Sequence, residues 1–209
     1  MSLLLTVLLL LTPQSLRLDQ VVDGVVRTYS KMNDFSAEFV QTTQDISNQR
    51  HTYRGLLYLK SGKLMLFEQR EPEHKFLISD GKWVTEYKVG LQAERTPVKK
   101  SDDERLQLFQ IPWNPEWKKQ FSKTEGPRGD ERPVTPTNRL VRLTPNKDKE
   151  LPVILLEVDP ATFLIHRFVT TSPDGDTNEF RFTGIKTAPL DKKIFEFKAP
   201  PGVEVIEHR

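Results

Sequence analysis

Short segments in which apolar and polar residues alternate, joined by tight turns, make up most of this chain after residue 34. Phe35, Ala37 and Phe39 alternate with Ser36 and Glu38, for example, which is typical of a strand with one buried face. Two-residue turns with a glycine separate neighbouring segments at positions 61–62 and 80–81. Such turns favour β-hairpins, so the sequence predicts an antiparallel sheet.

About ten strands are predicted in this way. They cover residues 35–40, 53–60, 63–69, 75–79, 82–89, 91–100, 139–144, 152–158, 163–171 and 177–186. Residues 123–138 are rich in Gly, Pro, Thr and charge, which predicts a surface loop, and segments 191–197 and 203–206 flank a proline-rich turn. Because strand twist accumulates over so long a sheet, we expect it to curl into an unclosed half-barrel with a concave face.

Two helices are predicted beside these strands. Residues 18–32 carry apolar side chains at spacings of three and four, which gives one face of an amphipathic helix. Acidic residues at 102–104 precede Leu106 and Phe109, and Pro112 ends the segment, which indicates a short helical insertion at 105–110. We therefore expect an α+β, mainly β, fold in which the two helices act as lids on the concave face.

The N-terminus carries an unbroken run of nine apolar or weakly polar residues from Leu3 to Leu11. The run is too short to span a membrane but suits the core of a signal peptide. A buried helix is the alternative, yet such a helix would have a polar face, and this run offers only Thr6. We expect residues 1–15 to be a signal peptide for export and residues 16–209 to form a single domain.

Composition excludes several classes of function. The net charge of +2 lacks the basic excess that binding to nucleic acid needs, so no nucleic-acid partner is expected. The absence of cysteine rules out disulfides, thiolate zinc sites and cysteine nucleophiles. The four histidines are scattered singly, and no G-x-S-x-G or H-E-x-x-H motif occurs. We therefore expect a binding protein and not an enzyme, without cofactor or metal.

Four segments of the chain resemble a known family. They are MNDFSAEFVQ at 32–41, GLLYLK at 55–60, FLISDGKW at 76–83 and FEFKAPPGVEV at 195–205. In this order and spacing, within residues 19–207, the chain resembles the LolA-type periplasmic carriers of outer-membrane lipoproteins. The resemblance implies a half-barrel whose apolar concave face, covered by helices, shelters the acyl chains of a lipoprotein.

The resemblance also implies the setting in which such a protein works. Members of the family are monomers of the periplasm that take acylated lipoproteins from an inner-membrane ABC transporter complex and pass them to an outer-membrane acceptor. Burial of acyl chains contributes roughly 0.8 kcal/mol per methylene, so two or three long chains are worth tens of kcal/mol. A lipoprotein therefore cannot cross an aqueous compartment at a useful rate without a carrier.

The candidate cavity lining combines alternating strand positions with the apolar faces of the lids. The helical candidates are Val22, Val25, Val26, Tyr29 and Met32 from the first helix and Leu106, Phe109, Ile111 and Trp113 from the second. The strand candidates are Phe39, Leu57, Leu59, Met65, Phe67 and Leu77. Apolar residues at these spacings also suit an ordinary core, so contact with a ligand is a separate prediction.

The family resemblance assigns the gating of the lid to the hairpin that follows Lys60. Family members usually carry an Arg-Pro pair there, whose arginine tethers the lid by hydrogen bonds, whereas this chain has Ser61-Gly62. Lys60, Ser61 and Lys63 are therefore the candidate gating residues. Lysine lacks the planar five-donor fork of arginine, so we expect the tether to differ in this chain.

Two other functions remain open at this stage. The same cavity would suit a periplasmic lipid-binding module for transport or envelope sensing, although sensing would require a partner-binding domain beyond these 209 residues. A periplasmic hydrolase acting on lipid or glycan would require polar groups converging in the cavity, and the candidate lining offers almost none.

Overall fold

One sheet of twelve strands forms the frame of the protein in a computed structural model that describes residues 16–208 except 102, 115, 127 and 130. The strands are β1 Asp34–Gln44, β2 Arg50–Lys60, β3 Leu64–Glu71, β4 Lys75–Ser79, β5 Trp83–Lys88, β6 Ala93–Pro97, β7 Phe121–Glu125, β8 Arg139–Pro145, β9 Val153–Val158, β10 Ile165–Thr171, β11 Thr177–Lys186 and β12 Val205–Glu207. Their order is β12-β6-β5-β4-β3-β2-β1-β11-β10-β9-β8-β7. Because β12 and β7 form opposite edges, the predicted unclosed half-barrel is confirmed.

The predicted hairpins pair as the turns indicated. Ser61 and Gly62 both have positive φ, at 54° and 62°, and the Lys63 amide closes the turn onto the Lys60 carbonyl at 3.1 Å. In the next hairpin the Asp80 carboxylate accepts hydrogen bonds from the amides of Lys82 and Trp83. Turn chemistry thus sets the register in which β2 pairs with β3 and β4 with β5.

Three helices lie against this sheet within the described residues: α1 Leu18–Lys31, α2 Glu104–Leu108 and α3 Trp117–Gln120. A 3-10 turn, Ile111–Trp113, links α2 to α3. The buried side of α1 approaches the β9–β10 turn so closely that a Cβ on Gly24 would lie 2.2 Å from the Phe163 ring. Only glycine permits this close contact, which fixes α1 over one end of the sheet.

Some predicted boundaries were wrong, mainly where pairing partners are distant in sequence. The predicted loop at 123–138 begins with strand β7, because Phe121 is buried and pairs its strand with β8 at the sheet edge. The predicted strand at 91–100 ends at Pro97 and continues as a 3-10 turn. The sheet is also not wholly antiparallel, because the late segment β12 runs parallel to β6 and covers that edge.

The segment before β12 forms a 3-10 turn, Lys192–Phe195, instead of extended chain. The Asp191 carboxylate accepts a hydrogen bond from the Lys193 amide and caps this turn. Phe195 is buried, and the turn contacts β3. The C-terminal segment thus adds a packed element to the sheet before β12 reaches the edge strand β6.

A buried carboxylate fixes the long loop between β7 and β8. Glu157, on β9, is 1% exposed and accepts hydrogen bonds from the amides of Val134 and Thr135 and from the Asn138 side chain at 2.8 to 3.0 Å. The Arg167 guanidinium lies 3.9 Å from the same carboxylate. Three hydrogen bonds to a costly buried charge therefore hold the loop, and Arg167 on β10 balances the charge.

We predict that Glu157→Gln lowers the free energy of unfolding by about 2 kcal/mol, because an amide nitrogen would face donors that need an acceptor. Chemical denaturation measures this change. The matched control is Glu150→Gln at an exposed position, expected to change stability by less than about 0.5 kcal/mol. Equal stabilities of the two variants would contradict the assigned role of Glu157.

Candidate functional site

The concave face of the sheet is apolar along β1, β2 and β3. Register places Ala37, Leu57 and Phe67 in one cross-strand row and Phe35, Leu59 and Met65 in the adjacent row. All six side chains are buried, so the alternation of the sequence put the correct face of each strand inward.

Helix α1 covers one part of this face. Val22, Val25 and Tyr29 are buried, and the Tyr29 hydroxyl accepts a hydrogen bond from the Ile165 amide at 3.1 Å. Burial raises the pKa of the Tyr29 phenol well above its usual value, and this effect exceeds the opposing one of the Ile165 hydrogen bond. The phenol therefore stays neutral and adds no charge to the apolar interior.

Helix α2 covers a second part of the face through aromatic packing. The Phe109 ring, just after α2, lies 5.0 Å from Phe180 and 6.2 Å from Phe67, measured between ring centroids. Phe39 stacks on Phe67 at 4.4 Å, and Phe182 extends the cluster. Aromatic contacts of this geometry contribute about 0.5–1.5 kcal/mol each beyond burial, so lid and sheet share one core.

All fifteen predicted cavity residues belong to this one hydrophobic cluster. Eleven are buried, and the other four, Val26, Met32, Ile111 and Trp113, are partly buried and pack against it. The structure therefore brings the set together, while contact with a ligand stays a prediction. Phe35 on β1 and residues from the other half of the sheet, namely Ile165, Phe168 and Phe182, line the same interior, and Phe180 belongs to the same cluster. Their alternation within predicted strands was the available signal.

The interior between lid and sheet is almost closed. A remaining cavity of about 20 Å³ is bounded by apolar residues that include Leu57, Phe109 and Trp113. Pockets that hold small molecules usually measure about 300–1,000 Å³, whereas this cavity has room for about one water molecule. A sizeable apolar ligand could therefore enter this part of the interior only if the lid moved away from the sheet.

Trp113 fastens the lid to the end of α1 and packs against the β2–β3 hairpin. Its indole Nε1 donates a hydrogen bond to the Met32 carbonyl at 3.0 Å, and its ring packs edge-on against Tyr29 at 4.7 Å. A Cβ on Gly62 would lie 2.8 Å from the Trp113 Cβ, so the backbone of the hairpin supports the lid directly. Sequence reasoning missed Gly62, for which the only signal was its place in a tight turn.

The three candidate gating residues lie in the same hairpin, but the described contacts of their side chains are not with the lid. Lys60 forms an ion pair with Asp34 and donates to the Leu190 carbonyl at 3.0 Å. Asp34 also accepts from the Leu190 amide, so this pair secures the chain that follows β11. Ser61 and Lys63 bond through backbone atoms. A gating role for these residues stays a prediction.

The described residues contain no group of three or more acidic or histidine side chains that could hold a metal ion. Two polar atoms inside the cluster, the Tyr29 hydroxyl and the Trp113 indole, have hydrogen-bond partners, whereas the buried indole nitrogen of Trp117 has none among the described residues. What this arrangement offers is an apolar interior covered by helices.

Fold and site define a class: a lidded, unclosed β half-barrel with an apolar interior. The chain belongs to the family of the outer membrane lipoprotein carrier protein LolA, whose family profile matches residues 30–198. It is 27% identical over 183 residues to an outer-membrane lipoprotein carrier protein of Proteus mirabilis, covering 86% of this chain and 85% of the relative. The corresponding Haemophilus influenzae protein (strain PittEE) is 28% identical over 205 residues, or 97% and 94% of the two chains.

A solved structure has the same fold. An uncharacterized conserved protein of Thermus thermophilus superposes with a TM-score of 0.56 at 15% sequence identity, covering 91% of this chain and 98% of that one. At this identity the likeness concerns the fold alone.

We predict that Trp113→Phe increases the open population of the lid about fivefold, because it removes one hydrogen bond worth about 1 kcal/mol while keeping an aromatic ring. Hydrogen exchange of the backbone amides of residues 106–110 measures this opening. The matched control, Trp83→Phe on β5, is expected to leave it unchanged. Equal exchange in wild type and Trp113→Phe would show that this hydrogen bond does not hold the lid.

Proposed function

We propose that this protein is a soluble periplasmic carrier that binds the acyl chains of lipoproteins and transfers them from the inner to the outer membrane. The observation that carries the proposal is the lidded apolar concave face, built from the cluster around Phe39, Phe67, Phe109 and Phe180. Membership of the LolA family and the names of its relatives support lipoprotein as the cargo.

The energetics of an acyl chain require such a face. At roughly 0.8 kcal/mol per methylene, exposing a sixteen-carbon chain to water costs on the order of 12 kcal/mol. A carrier must offset most of this cost and still release its cargo. In the empty carrier the lid covers the apolar concave face, and in the loaded carrier the same face would cover the acyl chains. The net change in exposed apolar area is therefore modest.

The lid is suited to exchange with a ligand because its second part is short. Helix α2 has five residues, too few to be stable without tertiary contacts. Its anchor points are Phe109 in the aromatic cluster and the hydrogen bond from Trp113 to the Met32 carbonyl. Acyl chains entering the cluster would replace the contacts of Phe109 by similar apolar contacts, so opening would cost little beyond that one hydrogen bond.

The setting of this function is part of the proposal. Residues 1–15, outside the described residues, would direct export, and residues 16–209 would act as one monomeric domain. An inner-membrane ABC transporter complex would load the carrier, and an outer-membrane acceptor would unload it. Within the described part of the chain no helix is both long and apolar enough to cross a membrane. We propose binding without catalysis.

We predict that Phe109→Glu abolishes cargo binding, because a carboxylate inside the aromatic cluster cannot be desolvated next to acyl chains. The full chain is expressed in a diderm host and purified from the periplasm, and co-purifying acylated species are identified by mass spectrometry. Wild type should carry triacylated lipoprotein at one to one, and Phe109→Glu should carry none.

Gln107→Glu is the matched control, since it adds the same charge to an exposed position of the same helix and should retain cargo. Phe109→Leu, which keeps an apolar side chain, should also retain it. Circular dichroism shows that the sheet is intact in each variant. Wild-type protein that carries phospholipid or fatty acid instead of lipoprotein would contradict the proposed cargo.

A further inference from the structure

The concave face changes character across the sheet. One cross-strand row runs through Leu57, Phe67 and Leu77 and continues through Glu86 and Glu94 on β5 and β6. The row is apolar and buried as far as β4 and acidic from β5 onward. The adjacent row changes two strands earlier, from Phe39 and Gly55 to Gln69, Lys75 and Lys88. The concave face therefore changes from apolar to polar on going across the strands from β2 to β6.

The polar part of this surface forms an open groove of about 510 Å³. The groove begins at Phe67 and Leu77, which belong to the apolar cluster, and extends along β4, β5 and β6. Its charged and amide lining residues are Gln69, Lys75, Glu86, Lys88, Gln92, Glu94 and Arg105. The groove and the lidded interior are thus adjacent parts of one concave face.

Arg105, on the lid, stands at the boundary between the two parts. Its guanidinium carbon lies 5.1 Å from the centre of the Phe67 ring, and its side chain also pairs with Asp103 at the start of α2. Because Arg105 belongs to α2, opening of the lid moves the cation away from Phe67. That movement joins the apolar interior and the polar groove into one continuous surface.

The charges that line the groove indicate which kind of ligand it can bind. Lys75 and Lys88 both pair with Glu73, whose pKa is well below its usual range because of the hydrogen bonds from Lys75 and then Lys88. Glu86 has no ion-pair or hydrogen-bond partner among the described residues. Neutralised cations beside an unpaired carboxylate disfavour an anionic headgroup.

A peptide fits this surface better. Its backbone alternates donors and acceptors, which the Gln92 amide, the side-chain oxygen of Gln69 and the mixed charges can satisfy, while the Gln69 amide nitrogen already donates to the Glu73 carbonyl. The groove on the other side of the lid, about 390 Å³ in volume, offers no such strand surface, since its strand residues Phe121 and Ile154 are apolar.

We propose that this groove binds the first residues of the cargo polypeptide, next to its acylated end. The inference rests on the proposed function, because an amphiphile whose chains lie under the lid must leave the interior along the concave face. The cross-strand row that becomes polar at Glu86 matches the cargo, whose acyl chains are apolar and whose peptide is polar. The groove would then bind the peptide, while the lidded interior holds the acyl chains.

Two synthetic lipopeptides with the same three acyl chains test the proposal. One ends at the acylated cysteine amide, and the other carries eight further neutral polar residues. Titration calorimetry with the full-length protein should show the longer lipopeptide binding about tenfold more tightly. In Glu86→Trp, which fills the groove from an exposed position, this ratio should fall to near one, whereas Lys82→Trp in the exposed β4–β5 turn should keep it.

Three results would overturn the inference. Equal wild-type affinity for the two lipopeptides, or an unchanged ratio in Glu86→Trp, would remove the groove assignment and leave the carrier proposal intact. Weaker binding of phosphatidylglycerol in Glu86→Trp, with the lipopeptide ratio preserved, would assign the groove to a headgroup. Failure of both lipopeptides to bind wild type would contradict the carrier proposal itself.

Discussion

The structure depends on one constraint: an open sheet with an apolar concave face must have that face covered. A closed barrel would fill its interior with its own side chains, but β12 and β7 stay apart and leave the rings of Phe39, Phe67 and Phe180 in need of a partner. Phe109 on the lid supplies it in the closed state. Under the proposed function, a ligand that reproduces this apolar contact would compete with the lid on nearly equal terms, which would make binding reversible.

The two parts of the lid are held with different strength. Helix α1 has fourteen residues, packs through Gly24 against Phe163 and is bound by the Tyr29 hydroxyl to Ile165. Helix α2 has five residues and depends on the aromatic cluster and Trp113. Segments with few local contacts open at lower free energy than well-packed ones. We therefore expect the α2 side to open at lower free energy than the α1 side.

The sequence predicted the sheet and the facing of its strands because the two-residue period and the glycine turns are local signals. Leu57, Phe67 and Leu77 were assigned to the interior from alternation alone, and their burial confirms that assignment. The parallel pairing of β12 with β6 joins residues more than a hundred positions apart, and no local pattern encodes it. Glu157 was missed for the same reason, since its donors come from a distant loop.

The hairpin at 61–62 shows why a family pattern cannot be transferred as a simple exchange of side chains. Gly62 has φ of 62°, and proline, which is fixed near −65°, cannot adopt that conformation. The Ser61-Gly62 turn is therefore a different backbone from one built on Arg-Pro, not the same backbone without its arginine. Because Gly62 has no Cβ, the Trp113 side chain can rest on the turn itself. Under the proposed function, the close approach of Trp113 to Gly62 and its hydrogen bond to the Met32 carbonyl would replace the arginine tether that the resemblance implies.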